Sequence, residues 1–251
     1  MCQGFSFIVE PSCKVTWKLG LDSHTSILAL TSLKDDTNDP QQMTFCRGEI
    51  TPDNGSYLEP DSWTLKVDQK ITPNWFGEKH KAAAFSAHKK WLAKLNKILV
   101  RQKIVHPFTI APPAVITKQH IDMLRKWDSV WNSVWNSVGD SVGDSVGASV
   151  GASVGDSVGD SVGDSVGASV GDSVWNSVWN SVWAYMGSFF MLPVWKYTKH
   201  PRGKYPFEPC VQLWKRGLVA SFDGKTWRLH GRTKATVLFE ITADKLRGKS
   251  C

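Results

Sequence analysis

Three residues near the start of the chain could carry out covalent chemistry: Cys2, Asp22 and His24. Removal of Met1 would leave Cys2 at the amino terminus, where the thiol can act as a nucleophile with its own α-amino group as the base. Asp22 and His24 lie on one predicted loop and could complete such a site. In the alternative interpretation, Cys2 is a small side chain that begins a buried strand. The sequence lacks a Walker loop, a GxSxG elbow and an HExxH motif, so nucleotide hydrolysis, serine hydrolysis and zinc proteolysis lack their residues.

Residue types that bind metals are present but scattered along the chain. The five cysteines include no CxxC pair, and His80 and His88 are eight positions apart on a predicted helix. Because the cysteines are widely spread, we expect reduced thiols. Because the histidines are also scattered, we predict no metal site, and we predict no cofactor. The cysteines are Cys2, Cys13, Cys46, Cys210 and Cys251.

The formal charge of +7 conceals an uneven distribution of charge. Residues 1–127 carry 17 basic and 12 acidic side chains, residues 128–183 carry seven Asp and no basic residue, and residues 184–251 carry 13 basic and four acidic side chains. The acidic segment predicts a contact surface for a basic protein partner, formed by Asp128, Asp140, Asp144, Asp156, Asp160, Asp164 and Asp172. The basic segment offers nucleic-acid binding as an alternative, with Lys196, Lys199, Arg202, Lys204, Lys215 and Arg216 as the densest cluster. Two further alternatives are an ordinary solvated surface and neutralisation of the acidic segment by the basic ones.

The acidic segment is a repeat of fourteen four-residue units, each with a Ser-Val pair followed by Trp or Gly and then Asp, Asn or Ala. On an α-helix a period of four drifts by about 40° per unit, so a stripe of Val would wind around the helix. Nine units carry Gly, which costs about 1 kcal/mol relative to Ala inside a helix. A chain that turns at each Gly-Asp or Trp-Asn pair would instead bury Val and expose Asp. The pattern therefore predicts a β-solenoid, with a disordered Gly/Ser-rich linker as the alternative.

Tryptophan occupies only the two ends of this repeat. One Trp immediately precedes the repeat, two Trp occupy its first units and three its last units, and Gly takes the equivalent position in the nine units between. We expect these rings to cap the solenoid, and the alternative is an aromatic platform for bases or ligands. They are Trp127, Trp131, Trp135, Trp175, Trp179 and Trp183.

The segments that flank the repeat are predicted to fold as mixed α and β structure. Alternating patterns predict strands over Phe5–Val9, Lys14–Lys18 and Trp63–Val67, and helical spacing predicts a long helix over 75–100. An Asp223-Gly224 turn predicts a hairpin, followed by a third strand over 235–241. Shorter helices are expected over 118–126 and 209–216, and an extended connector over 106–115. We therefore predict an α+β protein with a β-plus-helix domain (1–116), a short helix and solenoid (117–183), and a capping region with a β-hairpin (184–251).

The repeat and its flanks also carry a family resemblance. The segments MCQGFSFIV, GLDSH, EITP and SFDGKTWRLHG, together with the SVW/SVG repeat, resemble a group of tetrapeptide-repeat proteins in bacteriophage and bacterial genomes. The resemblance implies a phage or mobile-element setting and supplies no catalytic residue. A looser similarity to pentapeptide-repeat β-helix proteins implies an acidic surface that meets DNA-binding enzymes, although this repeat has period four.

The sequence as a whole predicts a non-enzymatic binding protein. A protein partner is the preferred expectation, nucleic acid binding is the first alternative, and an enzyme that uses Cys2 is the second. Gly faces without side chains would let two copies approach closely, so self-association is also expected. The first residues lack the features of a signal peptide and no apolar run could span a membrane, so we expect a cytoplasmic protein that does not bind membranes.

Overall fold

A computed structural model describes residues 4–52, 59–100, 102–146, 151, 154–156, 158–170 and 175–248. The chain forms two compact units. The first comprises Met1–Leu99 with Val142–Val154, and the second comprises Val100–Ser141 with Gly155–Cys251. Each unit contains one antiparallel sheet, and the protein is α+β.

The sheet of the first unit has four strands in the order β2-β1-β3-β4. Every neighbouring pair is antiparallel, and Phe5 lies opposite Ile50 in the central β1–β3 ladder. The predicted strand Phe5–Val9 is confirmed, whereas the second and third predicted strands are shorter than expected. The strands are β1 (Phe5–Val9), β2 (Val15–Thr16), β3 (Cys46–Thr51) and β4 (Thr64–Val67).

Helices cover both faces of this sheet. On one face, Trp91 of the long helix α2 (Glu78–Leu95) packs its ring 5.5 Å from that of Phe5. On the other face, Ile27 of the short helix α1 (His24–Leu28) packs against Ile8 and belongs to the same buried cluster. Because successive strand residues point to opposite faces, a sheet covered on both sides buries every residue of β1.

The sheet of the second unit is a three-stranded meander. The predicted hairpin is confirmed: its turn contains Asp223 and Gly224, and Gly224 adopts the positive φ of 94° that such a turn favours. A third strand pairs with the second in the predicted region, with a register shift at Leu229/His230. The strands are β5 (Val219–Phe222), β6 (Thr226–Gly231) and β7 (Thr236–Thr242).

Further helices follow the first two along the chain. Those over 118–126 and 209–216 are confirmed with small changes of boundary, and the predicted connector over 106–115 contains a 3₁₀ turn at Pro107–Thr109. The helices are α3 (Lys118–Asp128), α4 (Val134–Val146), α5 (Asp164–Val170), α6 (Trp175–Gly187), α7 (Glu208–Trp214) and α8 (Ala243–Leu246).

The predicted β-solenoid is wrong. Residues 134–146, 151, 154–156, 158–170 and 175–183 of the repeat are helical, and the described part of the repeat contains no strand. Ten of its valines do point inward at the four-residue period, as predicted, but they line helices instead of the axis of a coil. Those exposed by 3% or less are Val134, Val138, Val142, Val146, Val154, Val158, Val162, Val166, Val178 and Val182.

Two features let a four-residue period fold as a helix. Residues Gly159–Gly163 form a π-helical turn, whose wider ring advances each residue by less than the usual 100° and so offsets the drift of the Val stripe. Glycine also permits close packing: a Cβ on Gly163 would lie 3.1 Å from the ring of Trp179. Helical stability in proteins comes mainly from such tertiary packing, so the low helix propensity of Gly and Val is overridden here.

Candidate nucleic-acid interface

The basic residues predicted from sequence lie mainly on the loop between α6 and α7, in the second unit. Lys196, Lys199, Arg202 and Lys204 are all exposed on this loop. Lys199, Arg202 and Lys204 form no ion pair with any residue that the structure describes. Four cations within nine residues create a local positive potential suited to a polyanion.

Buried aromatic residues hold this loop in place. Trp195 is 2% exposed and packs edge-on against Tyr205, with ring centroids 4.8 Å apart. The Tyr205 hydroxyl donates to the carbonyl oxygen of Ala184 at 2.5 Å, and burial raises the pKa of Tyr205 well above its usual value. The backbone N–H of Lys196 donates to the Ser141 hydroxyl at 2.8 Å. The loop therefore presents its charges from an anchored backbone.

A groove of about 430 Å³ lies beside these cations. Its wall is mainly apolar, and Met191 on its rim is 57% exposed. Nearby on the loop, Val194 is 57% exposed and Tyr197 is 63% exposed. The lining residues include Phe190, Met191, Leu192, Pro193, Trp195 and Tyr205.

The two remaining basic candidates differ in their placement. The Lys215 ammonium donates to Gln102 at 3.4 Å, and Gln102 donates to the Ser188 hydroxyl at the groove wall at 3.2 Å. Lys215 therefore lies near the groove. Arg216 instead donates to the carbonyl oxygen of Gln212 at 2.9 Å and is half-buried at the end of α7.

A second groove, of about 420 Å³, lies where the two ends of the repeat meet. Trp135 is 58% exposed there, and its ring lies edge-on to that of Trp183 at 6.4 Å. The Asn180 amide donates to the carbonyl oxygen of Trp131 at 3.3 Å. Indole rings and carboxamides without a charged side chain form the lining, which comprises Asn132, Trp135, Asn176, Trp179, Asn180 and Trp183.

The other Trp residues at the start of the repeat pack inside the second unit. Trp127 is fully buried, and Trp131 packs edge-on against Phe222 and Trp227 of the C-terminal hairpin. Of the Trp residues predicted to cap a solenoid, Trp127 and Trp131 are thus internal packing, and Trp135, Trp179 and Trp183 line the groove. The side chain of Trp175 lies outside the described residues.

The seven Asp residues of the repeat do not share one environment. The Asp128 side chain is 5% exposed and accepts hydrogen bonds from Trp227 Nε1 at 2.8 Å and from Arg247 at 2.7 Å. Burial acts to raise the pKa of Asp128, but the bonds from Arg247 and Trp227 outweigh it, and the pKa is lowered. Asp140 accepts from the Tyr197 hydroxyl at 2.6 Å.

The remaining Asp residues of the repeat are either exposed or have side chains outside the described residues. Asp144, Asp156 and Asp164 are exposed on helical segments. The side chain of Asp160 and the whole of Asp172 lie outside the described residues. A continuous acidic ladder that includes Asp128 is therefore not available to a partner.

The predicted catalytic residues are only partly described. Cys2 lies outside the described residues, Asp22 is half-buried, and His24 is buried with both ring nitrogens facing oxygen atoms. Burial raises the pKa of Cys46 and of Cys210 to about 12, so these two thiols are protonated at neutral pH.

One pair with a catalytic appearance was not predicted from sequence. The Ser221 hydroxyl lies 2.7 Å from His230 Nε2, and His230 Nδ1 lies 3.0 Å from the carbonyl oxygen of Ala235. Ser221 is 0% exposed and His230 is 5% exposed, so no substrate could reach the hydroxyl. Burial lowers the pKa of His230, consistent with a neutral ring that crosslinks the hairpin. The only sequence signal is that both residues lie on the predicted hairpin.

No helix among the described residues is long and apolar enough to cross a membrane.

Comparisons with known proteins return no relative. No protein family, no curated protein and no solved structure matches the chain.

Proposed function

We propose that this is a non-enzymatic binding protein whose second unit binds single-stranded nucleic acid. The observation that carries the proposal is the groove lined by Trp135, Trp179 and Trp183 together with three Asn side chains. Exposed indole rings stack with bases of any sequence, and stacking contributes about 1–3 kcal/mol per base. Asn carboxamides both donate and accept, so they can pair with the exposed edges of unstacked bases.

The basic loop supports the same function because it supplies contacts for phosphates. Lys199, Arg202 and Lys204 are exposed in the same unit as the tryptophan groove. The loop also touches the helix that carries Trp135, since Tyr197 donates to Asp140 on α4. Asp140 is five residues after Trp135, about 7.5 Å along the helix axis and about 140° around it. A strand that contacts both features must therefore pass around the side of α4.

A protein partner that binds the repeat carboxylates has less support. The Asp128 carboxylate is already engaged with Arg247, and Asp140 accepts a hydrogen bond from Tyr197. Asp128 is therefore withdrawn from the predicted acidic surface, whereas Asp140 stays exposed beside Tyr197. The phage or mobile-element setting stays a prediction from the resemblance.

The test is fluorescence anisotropy with a labelled twenty-nucleotide oligo-dT, at a series of salt concentrations. We expect wild-type protein to bind at low ionic strength, and Trp135→Ala to weaken binding by about 5- to 150-fold through loss of stacking. Replacing Lys196, Lys199, Arg202 and Lys204 together by Gln should flatten the dependence of log K on log salt by about 3, at roughly 0.7 per lost phosphate contact.

A matched variant separates this site from general charge. Gln at Lys118, Lys225, Lys234 and Lys245 removes the same four charges from exposed positions in the second unit. We expect this control to keep most of the affinity and the salt slope. At 20 mM salt the Debye length is roughly three times that at 0.15 M, so exposed charges are screened much less. Equal losses in both quadruple variants, or no binding by wild type at 20 mM salt, would reject the proposed interface.

A further inference from the structure

The first unit brings together three side chains that the sequence pattern does not connect: His24, Glu49 and Asp68. His24 begins α1, Glu49 lies in the middle of β3, and Asp68 immediately follows β4. One donor atom from each lies within 4.8 Å of the other two. The backbone N–H of Asp68 donates to the carbonyl oxygen of Arg47 at 3.0 Å, so two of the three residues are fixed by the sheet.

The surroundings of His24 determine which nitrogen can bind an ion. Its Nε2 lies 3.1 Å from the carbonyl oxygen of Gly48, which can only accept a hydrogen bond, so Nε2 carries a proton. Its Nδ1 lies 3.1 Å from an oxygen of Asp68. Nδ1 is therefore the ring nitrogen directed at this carboxylate, and a cation between the two atoms would be bound by both.

The arrangement matches the usual surroundings of a metal-bound histidine. Such a ring generally donates its other N–H to a backbone carbonyl or a carboxylate, which fixes the ring orientation. Two ligands each about 2.1 Å from one ion, at angles of 90° to 109°, are about 3.0–3.4 Å apart. The separation of 3.1 Å between His24 Nδ1 and Asp68 falls in this range.

A separate observation on the same face of the sheet concerns Ser6. Ser6 lies directly opposite Glu49 in the β1–β3 ladder, and directly opposed residues point their side chains to the same face. The Ser6 hydroxyl is buried and finds no hydrogen-bond partner among the described residues. A buried hydroxyl of this kind calls for a partner, and water bound to a cation would supply one.

From these observations we propose that His24, Glu49 and Asp68 bind a divalent transition-metal cation through one imidazole nitrogen and two carboxylates. Imidazole and carboxylate ligands together suit Mn²⁺, Fe²⁺, Co²⁺ and Zn²⁺. Lys66 lies directly opposite Glu49 in the β3–β4 ladder, on the same face of the sheet, so its ammonium is placed to compete with the ion for that carboxylate. The site belongs to the first unit and is independent of the nucleic-acid interface.

The experiment is a titration of the full chain with MnCl₂, because Mn²⁺ prefers oxygen and nitrogen ligands over the thiols of the chain. The electron paramagnetic resonance signal of free Mn²⁺ disappears on binding, so the signal gives stoichiometry and affinity directly. We expect one ion per chain. The double variant Glu49→Gln/Asp68→Asn should weaken binding at least thirtyfold, and Lys66→Met should tighten it severalfold. The matched control Asp36→Asn/Glu78→Gln removes two exposed carboxylates from the same unit and should leave the affinity unchanged.

A second measurement uses the wild-type protein alone. Substoichiometric Mn²⁺ should broaden the imidazole NMR signals of His24 before those of the other six histidines. The proposal is overturned if wild type shows no saturable binding up to millimolar Mn²⁺. It is also overturned if the double variant binds as tightly as its control, or if another histidine broadens first.

Discussion

His88 is the residue whose burial has the clearest consequence for stability. It is 4% exposed, and the rings of Phe5, Trp63 and Trp91 lie within 5.8 Å of it. Burial lowers the pKa of His88 to about 4, although the charge of Asp61 acts to raise it. The aromatic surroundings exclude water and make the protonated ring costly.

The sign of the resulting pH dependence follows from proton binding. Between pH 6.5 and pH 4 the unfolded chain protonates this histidine and the folded chain does not, so the free energy of unfolding falls as the pH falls. We expect wild type to lose about 2 kcal/mol more than His88→Leu between pH 7 and pH 4, after an allowance for screening. Urea unfolding of both proteins at the two pH values measures the difference. Parallel pH curves would mean that His88 is protonated in the folded core.

At the scale of the secondary-structure element, Gly→Ala substitutions test whether the repeat is helical. Gly139 and Gly143 lie in α4, and a Cβ on either would meet no atom within 4 Å. Gly139→Ala and Gly143→Ala should each raise the free energy of unfolding by about 0.5–1 kcal/mol, because Ala loses less conformational entropy in a helix. Gly187→Ala is the contrast, since its Cβ would collide with the hydroxyl of Tyr205 and lie 2.9 Å from Val138.

Thermal unfolding with far-UV circular dichroism distinguishes these cases. We expect a higher melting temperature for the two α4 variants and a lower one for Gly187→Ala. Destabilisation by Ala at Gly139 and Gly143 would indicate that these glycines occupy turns, and the helical description of α4 would then be incorrect.

At the scale of the whole molecule, α4 matters because it contributes to both units: Val134–Ser141 belong to the second unit and Val142–Val146 to the first. Deleting one repeat unit, Asp140–Gly143, rotates the following helix by about 40°. Deleting only Asp140 and Ser141 rotates it by about 160° and turns the following valines away from the core. Val142 and Val146, both in the first unit, are at most 2% exposed, so the two-residue deletion turns buried side chains of that unit toward water.

We therefore expect the two-residue deletion to cost more than about 3 kcal/mol, since burial of each Val contributes about 1.5–3 kcal/mol. The four-residue deletion should keep a cooperative transition with a smaller loss. Urea denaturation followed by tryptophan fluorescence compares the two deletions. A larger loss of unfolding free energy in the four-residue deletion would show that stability depends mainly on helix length and not on the rotational register of the helix.

The sequence by itself determined the features that depend on neighbouring residues. The alternation of Phe5–Val9, the spacing over 75–100 and the Asp223-Gly224 turn each encode their structure locally. The strand and the hairpin are found as expected, and the helix is found with the shorter bounds Glu78–Leu95. The period of four also predicted the burial of Val, and ten of the repeat's valines are buried among the side chains that the structure describes. Of the candidate interface, the basic cluster over 196–204 could be predicted, because exposed charge is visible in composition.

Only the tertiary structure decided the features that depend on residues distant in sequence. Whether the repeat forms helices or strands depends on the packing of its Val and Gly against the rest of the chain, which outweighs intrinsic propensities of about 1 kcal/mol per residue. Long-range contacts also bury Asp128 against Arg247 and bring Trp135 to Trp183. The grouping of His24, Glu49 and Asp68 likewise requires the strand register of a folded sheet, because no local pattern encodes which distant side chains share a face.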